Sequence, residues 1–427
     1  MRPESDPGDL TNGREGGPKA ETGRRTGVAK SATIACGAHF RESAARSPVF
    51  WRPACAILVQ VRYDRFLLQA DESGERSRFA SQCTGQTVLV TGAGGYIGSA
   101  LVKAIASARP APIVLLDSSE HNLFQIRQCL LAMHTPVPHE AILGSVTDTG
   151  LLDSLFASLR PSVVYHAAAF KHVPLLELNP LAAVCNNALG TYRLARAALQ
   201  HGVRTLVLVS TDKAVNPHSI MGASKRLAEL TVAALGGPEC RMNAVRLGNV
   251  VGSSGSVVPI FREQISRRGP VTVTHPDASR YFMSLHDAVE AILAVGAADC
   301  AGRILLPDLG EPERIADLAR ALIGAATNGS GNEIEIRFIG LRPGEKIAED
   351  LLFGTETCEG FAGGPLEVIL TPSPAPDDLH RRMEEIARQI AARDVAGLVG
   401  TISAMVPQYQ PSSIVLAATG TFESVAR

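Results

Sequence analysis

From residue 85 onward, short apolar runs alternate with longer stretches that repeat at helical spacing. The runs are QTVLVTG (86–92), PIVLLD (112–117), AILGSVTD (141–148), SVVYHAAA (162–169), TLVLVST (205–211) and MNAVRLGNV (242–250). Between them lie SALVKAIASA, SEHNLFQIRQCLLAM, LLDSLFASL, PLAAVCNNALGTYRLARAALQHG and a helical stretch starting near Ser219. The apolar runs do not alternate with period two, so they read as strands buried on both faces. Strands of that kind, joined by helices, make a doubly wound parallel α/β sheet.

The pattern loosens after residue 251. Loops such as GSSGSVVP and THPDASRYF alternate with helices expected at 285–298 and 313–325. Leu379, Met383, Ile386 and Ile390 recur at the spacing of an amphipathic helix. The expected division is a poorly structured extension (1–84), a dinucleotide-binding Rossmann domain (85–251), a smaller substrate-binding lobe (252–412) that can share part of the sheet, and a tail (413–427). The extension is rich in Gly, Pro and charge; its more apolar residues 49–70 are read as a short element packed on the main body.

Composition narrows the function classes. Of 427 residues, 45% are hydrophobic and 19% charged, and the net charge is −1. There is no basic footprint for nucleic acid and no polybasic run for a membrane surface. The cysteines are scattered and none forms a CxxC pair, so neither a metal site nor a disulfide framework is expected. No apolar run approaches the roughly 18–20 residues of a membrane span, and the N-terminus is unlike a secretory signal. A cytoplasmic protein without a transmembrane segment is the expectation.

Two motifs carry chemistry. TGAGGYIGSAL places Gly92, Gly95 and Gly98 between the first strand and the first helix. That spacing allows a tight turn, close approach of a pyrophosphate and close helix packing, with helix N-terminal amides aimed at phosphate. Asp117 ends the second strand, where a carboxylate accepts from an adenosine ribose; Ser118 follows it, not a cation for a 2′-phosphate, so NAD is expected over NADP. Tyr96, Ile97, Val146, Ala167 and Ala168 complete the expected cofactor-binding set. The second motif, STDK, puts Ser210, Thr211, Asp212 and Lys213 at the end of the fifth strand. Lys225 follows on a helix, and Met221 lies one turn before it. In many nicotinamide-dependent enzymes that earlier position holds the tyrosine base.

TGAGGYIGS, VYHAAAFKHVPLLELNP, STDKAVNPHSIMGASKR, RLGNVVGSSGSVVPIFREQI, VTVTHPDASRYFM and GLRPGEKIAEDLL occur in this order. Together they resemble the CapD-like polysaccharide-biosynthesis branch of the extended short-chain dehydrogenase/reductases, which includes UDP-N-acetylglucosamine 4,6-dehydratases. The resemblance spans about 86–412. Its larger, membrane-linked members typically have methionine at the position of Met221, so that residue looks like a subgroup signature.

The resemblance implies a redox-neutral conversion of a UDP-N-acetylhexosamine. Hydride leaves C4 for NAD, water is lost across C5 and C6, and hydride returns to C6, giving a 4-keto-6-deoxy sugar nucleotide. It implies Asp212 as acid, Lys213 as base, Thr211 on the C4 hydroxyl and Lys225 on the nicotinamide ribose. An ammonium beside Asp212 opposes an acid role unless the pair shares one proton. For substrate binding it implies Lys171, His172, Asn249, Ser256, Arg280, Arg342 and Glu345, with Asn187 structural and a homo-oligomer as the assembly. Ser145 departs from the family, whose members usually have aspartate there for the adenine amine. A UDP-sugar 4-epimerase and a non-catalytic NAD- or nucleotide-sugar-binding regulator are the competing readings.

Overall fold

The computed structural model describes residues 77, 79–133, 136–327, 334–361 and 366–420. The element expected within 49–70 lies outside them.

Six strands run parallel: β1 (Val88–Thr91), β2 (Ile113–Asp117), β3 (His139–Leu143), β4 (Val163–His166), β5 (Thr205–Thr211) and β6 (Arg241–Leu247). Their spatial order is 3-2-1-4-5-6. The strand order therefore reverses between β1 and β4, and the two C-terminal ends diverge there into a crevice. Every residue of β1, β2 and β4 is buried, which explains why these runs carry no polar alternation. The crossovers are α1 (Tyr96–Ser107), α2 (Glu120–Leu131) and α3 (Thr149–Leu159) on one half. On the other are α4 (Val173–Glu177), α5 (Pro180–Val184), a π-helical turn (Cys185–Leu189), α6 (Gly190–Gln200) and α7 (Ile220–Leu235).

The sheet continues beyond β6. Arg303–Pro307 adds in parallel, then Leu366–Leu370 and Thr357–Gly360 add antiparallel. Three strands of the nine-stranded sheet thus come from residues beyond 251. Their attachment is ionic as well as apolar. Arg246 of β6 is fully buried and donates to Glu229 of α7 (2.9 Å) and to Glu356, just before Thr357–Gly360 (3.0 Å). Arg226 bonds the same two carboxylates at 3.0 and 3.2 Å, and its guanidinium stacks over Phe353.

A second apolar cluster sits outside the sheet. Helix Pro376–Ala391 buries Leu379, Met383 and Ile386 against α7 residues including Leu227 and Met221. The periodic helix read near the C-terminus therefore covers the helix that carries Lys225. Described residues at both expected boundaries are packed on the body. Ala80 and Cys83, at the end of the expected extension, are buried, and Gln82 donates to Leu293 O. In the expected tail, Ser413–Ala418 is helical with Val415 buried.

Candidate active site

The loop from β1 into α1 is built for close approach. Gly92 has φ of +65°, and a Cβ there would lie 2.7 Å from Ala168 N. A Cβ on Gly98 would lie 2.0 Å from Gly92 O. Only glycine lets β1, α1 and the end of β4 converge here. The N-cap of α1 is Gly95, with no side chain satisfying the first-turn amides, so these remain available to an anion. Asp117 accepts from Gly94 N (2.9 Å) and Ser119 N (2.9 Å), which seats its carboxylate beside the glycine turn. Ser118 is exposed, Val146 is buried, and Ser145 Oγ pairs with Thr147. These features fit a dinucleotide: a glycine cradle closed by backbone, open amides and a nearby carboxylate.

A cleft of about 960 Å³ opens at the same sheet edge, at the upper end for small-molecule sites. It is lined by Gly95, Tyr96, Ile97, Gly98 and Ala167, and by Lys171, His172, Thr211, Lys213, Met221 and Lys225. Asn249, Ser256, Arg280, Arg342 and Glu345 also face it. Gly92, Asp117, Ser118, Ser145, Val146, Ala168 and Asp212 do not line it. Apart from Asp212, these sit around the glycine turn and just at or after the ends of β2, β3 and β4.

The end of β5 turns sharply into α7. Asn216 takes the left-handed φ of 39°, which asparagine tolerates. Ser219 caps α7 by accepting from Gly222 N at 3.1 Å. A Cβ on Gly222 would lie 2.2 Å from Lys213 O, so glycine there lets the first turn of α7 press against the STDK segment. That contact places Met221 and Lys225 beside Thr211 and Lys213.

The polar groups then interlock. Thr211 Oγ1 donates to Asp212 Oδ1 at 2.9 Å. Lys213 Nζ donates to the same oxygen at 2.9 Å and to Asn249 Oδ1 at 2.7 Å. Asp212 is fully buried, and its Oδ2 has no hydrogen-bond partner among the described residues. Its two side-chain partners, Thr211 and Lys213, are the groups that face the cleft. Lys225 Nζ donates to Val209 O at 2.7 Å. Burial lowers its pKa to about 8, against a smaller opposite pull from Glu229. Met221 is buried within the second apolar cluster while one edge lines the cleft.

Behind Lys225, His166 is held neutral: burial, then the charge of Lys225, lower its pKa to about 3. Thr191 spends its proton on Asn187 O, so His166 Nε2 donates to Thr191 and Nδ1 accepts from Thr91. Asn187 ties the π-helical turn to Phe170 N and O, and to Ser224 of α7.

On the far wall, burial lowers the Lys171 pKa, and burial with Lys171 lowers that of His172. Gly255 packs against the His172 ring, and Ser256 Oγ is shielded without a hydrogen-bond partner. Arg342 pairs with Glu345 through Nε at 2.8 Å. Read from sequence as separate nucleotide contacts, these two bind each other here. Arg280 donates to Ser279 O, Lys346 O and Ile347 O, and Nε lies 3.7 Å from Glu349. Its donors point into the protein, unlike those of a free phosphate ligand.

Sequence reading missed Glu349 and Lys346. Lys346 Nζ donates to Val215 O (3.0 Å) and lies 2.9 Å from Glu349 Oε2. Among the described residues, no group of three His, Cys, Asp or Glu could hold a metal ion, and no helix is long and apolar enough to cross a membrane.

Comparisons with known proteins agree with this geometry. The chain is 44% identical over 286 residues to the probable polysaccharide biosynthesis protein EpsC of Bacillus subtilis, covering 65% of this chain and 47% of that one. It thus spans about half the length of that relative. It is 33% identical over 274 residues to a UDP-N-acetylglucosamine 4,6-dehydratase (inverting) of Campylobacter jejuni, covering 62% of this chain and 77% of that one. It is 32% identical over 284 residues to a UDP-glucose 4-epimerase of Rickettsia bellii, covering 64% and 79%. Among solved structures, Pen from Bacillus thuringiensis superposes with a TM-score of 0.62 at 29% identity, covering 68% of this chain and 89% of that one. The pattern of the family described as "Polysaccharide biosynthesis protein" matches residues 88–362. With a doubly wound sheet, a glycine cradle and an STDK strand end meeting in one cleft, this chain belongs to that polysaccharide biosynthesis protein family.

Proposed function

We propose that the protein is an NAD-dependent nucleotide-sugar 4,6-dehydratase that converts a UDP-N-acetylhexosamine, most simply UDP-N-acetylglucosamine, to its 4-keto-6-deoxy form for surface polysaccharide synthesis. The observation that carries this reading is the Thr211–Asp212–Lys213 arrangement. One buried carboxylate bonds a hydroxyl and an ammonium that both face the cleft. Loss of water needs a proton for the departing C6 hydroxyl and a base at C5; 4-epimerisation needs no such acid. As hydride leaves C4, Thr211 passes the C4 hydroxyl proton inward to Asp212, and that is the one proton the Asp212–Lys213 pair then holds. It returns through Thr211 to the departing C6 oxygen while neutral Lys213 removes the C5 proton. Lys213 gives that proton back to C5 when hydride returns to C6. Bound NAD supplies the hydride acceptor and donor; the glycine cradle and Lys225 hold it. Lys171, His172, Asn249, Ser256, Arg342 and Glu345 face the nucleotide sugar. Met221 adds apolar contact beside it.

The test is to incubate the full chain with NAD and UDP-N-acetylglucosamine and follow the sugar by NMR. A 4-keto-6-deoxy product with loss of the C6 hydroxyl is expected. The C4 epimer alone would overturn the reading in favour of a 4-epimerase.

A further inference from the structure

The segment 342–350 reaches back under the STDK turn, although nothing in the sequence pairs them. Glu349 lies there, almost fully buried and lining the cleft floor. Its Oε1 is 4.0 Å from Lys213 Nζ and 3.7 Å from Arg280 Nε; its Oε2 is 2.9 Å from Lys346 Nζ. The Lys213 ammonium therefore has three oxygen neighbours: Asp212 from its own turn, Asn249 from the strand after β6, and Glu349 from below. Both cations beside Glu349 are themselves anchored. Lys346 is tied to Val215 O, and Arg280 to the carbonyls of Lys346 and Ile347.

We infer that Glu349 is a positioning residue of this reaction: its carboxylate aims the Lys213 ammonium and sets the pH range in which the Asp212–Lys213 pair holds one proton. The inference rests on the dehydratase reading for its catalytic consequence, though not for its electrostatics. Burial disfavours a charged Glu349, yet Lys213, Lys346 and Arg280 together outweigh it and hold its pKa below the ordinary carboxylate value. The carboxylate thus stays charged beside Lys213. The other titratable groups near the cluster are Asp350, 3.6 Å from Lys346, together with His218, whose pKa is lowered by burial and by Lys346, and Tyr281, whose pKa is raised by burial, Glu311 and Asp212. The same segment carries Arg342 and Glu345 at the cleft mouth. A nucleotide diphosphate that engages them also bears on the backbone that places Glu349.

The direction of the effect follows from charge. Removing a carboxylate near an ammonium lowers that ammonium's pKa. Glu349→Gln keeps the shape, removes the charge, and leaves Lys346 and Arg280 uncompensated. With lysine 13Cε labelling, and the Lys213 resonance assigned by its loss in Lys213→Arg, the Lys213 titration is expected to move down by about one pH unit or more. Lys346→Met removes a neighbouring cation and moves it up, so the inference has a second variant should Glu349→Gln fail to fold. An unmoved Lys213 titration in either folded variant overturns the inference. In the activity assay, Glu349→Gln shifts the whole pH profile of product formation toward acid. Glu349→Asp keeps the charge and leaves the profile in place with a lower kcat. A slower Glu349→Gln enzyme with an unmoved profile means a merely structural residue and also overturns it. A wild-type protein that forms no 4-keto-6-deoxy sugar overturns the proposed function instead, and the Lys213 titration still decides the role of Glu349.

Discussion

Two buried ionic clusters fasten the C-terminal half to α7, β5 and β6, and they differ in one respect. The Arg226–Glu229–Arg246–Glu356 cluster has two cations and two carboxylates, with each arginine bonded to both acids. Ser210 Oγ donates to Glu229, while Thr371 Oγ1 and Leu351 O accept from Arg226 and Arg246. The Lys213–Asp212–Glu349–Lys346–Arg280 cluster has three cations on two buried carboxylates, with Asp350 3.6 Å from Lys346, two carboxylate oxygens without a hydrogen bond among the described residues, and a cleft on one side. The first is balanced and sealed, and exchanges desolvation cost for a fixed geometry. The second opens onto a cavity through Lys213 and Glu349 and keeps acceptor capacity behind them at Asp212 Oδ2. A cluster open on one side is suited to moving a proton.

The contrast breaks most readily at Arg246. Arg246→Met leaves Glu229 and Glu356 sharing a single arginine in a dry site. It should cost about 4–5 kcal/mol in a denaturant-unfolding measurement, with activity per folded molecule largely kept. A loss below about 1 kcal/mol would mean that the sealed cluster is not what holds these strands. Lys213→Ala is the mirror case. Turnover of the UDP-sugar should fall by about 10³-fold, roughly 4 kcal/mol on the barrier, while the unfolding midpoint falls less than in Arg246→Met, because Lys213 borders the cleft and water can reach the site. A variant that loses stability instead of turnover would make the two clusters alike. The smallest effect is expected at Met221→Tyr. A hydroxyl placed beside Thr211 and Lys225 should change kcat by less than about tenfold, because the proposed proton path runs through Asp212. A gain of several orders of magnitude would show that the tyrosine position still governs the rate.

The parts of the fold legible in the sequence are those that depend on near neighbours. The apolar runs without period two gave the parallel strands, buried except for β3, which lies at the sheet edge with Leu143 exposed, and the 92–95–98 glycine spacing gave the strand–turn–helix cradle. The Ser219 cap and the Met221–Lys225 spacing likewise follow from local helix geometry. What could not be read joins distant segments without any repeating pattern. Glu349 under Lys213 is one example. Arg280 is another: its sequence context suggests a phosphate ligand, but its donors go to the backbone carbonyls of Lys346 and Ile347, which no side-chain pattern announces. Arg342 and Glu345, three residues apart, pair with each other, an outcome that spacing permits but does not require.

The N-terminus of α7 is fastened late in the chain. Glu177 accepts from Ile220 N at that helix start and from Ser412, which lies 235 residues further on, while Gln410 N donates to Pro217 O in the preceding turn. During synthesis, β1 to β6 and α7 emerge well before the residues that clamp them. The turn bearing Lys213 and Lys225 therefore reaches its final rigidity only after the residues around 410–412 have been made. Closing so long a loop is entropically slow. Maturation of the cleft thereby waits on synthesis of the segment around 410–412, and a nascent fragment holding every glycine of the cradle and every STDK residue would still lack the clamp that sets their geometry.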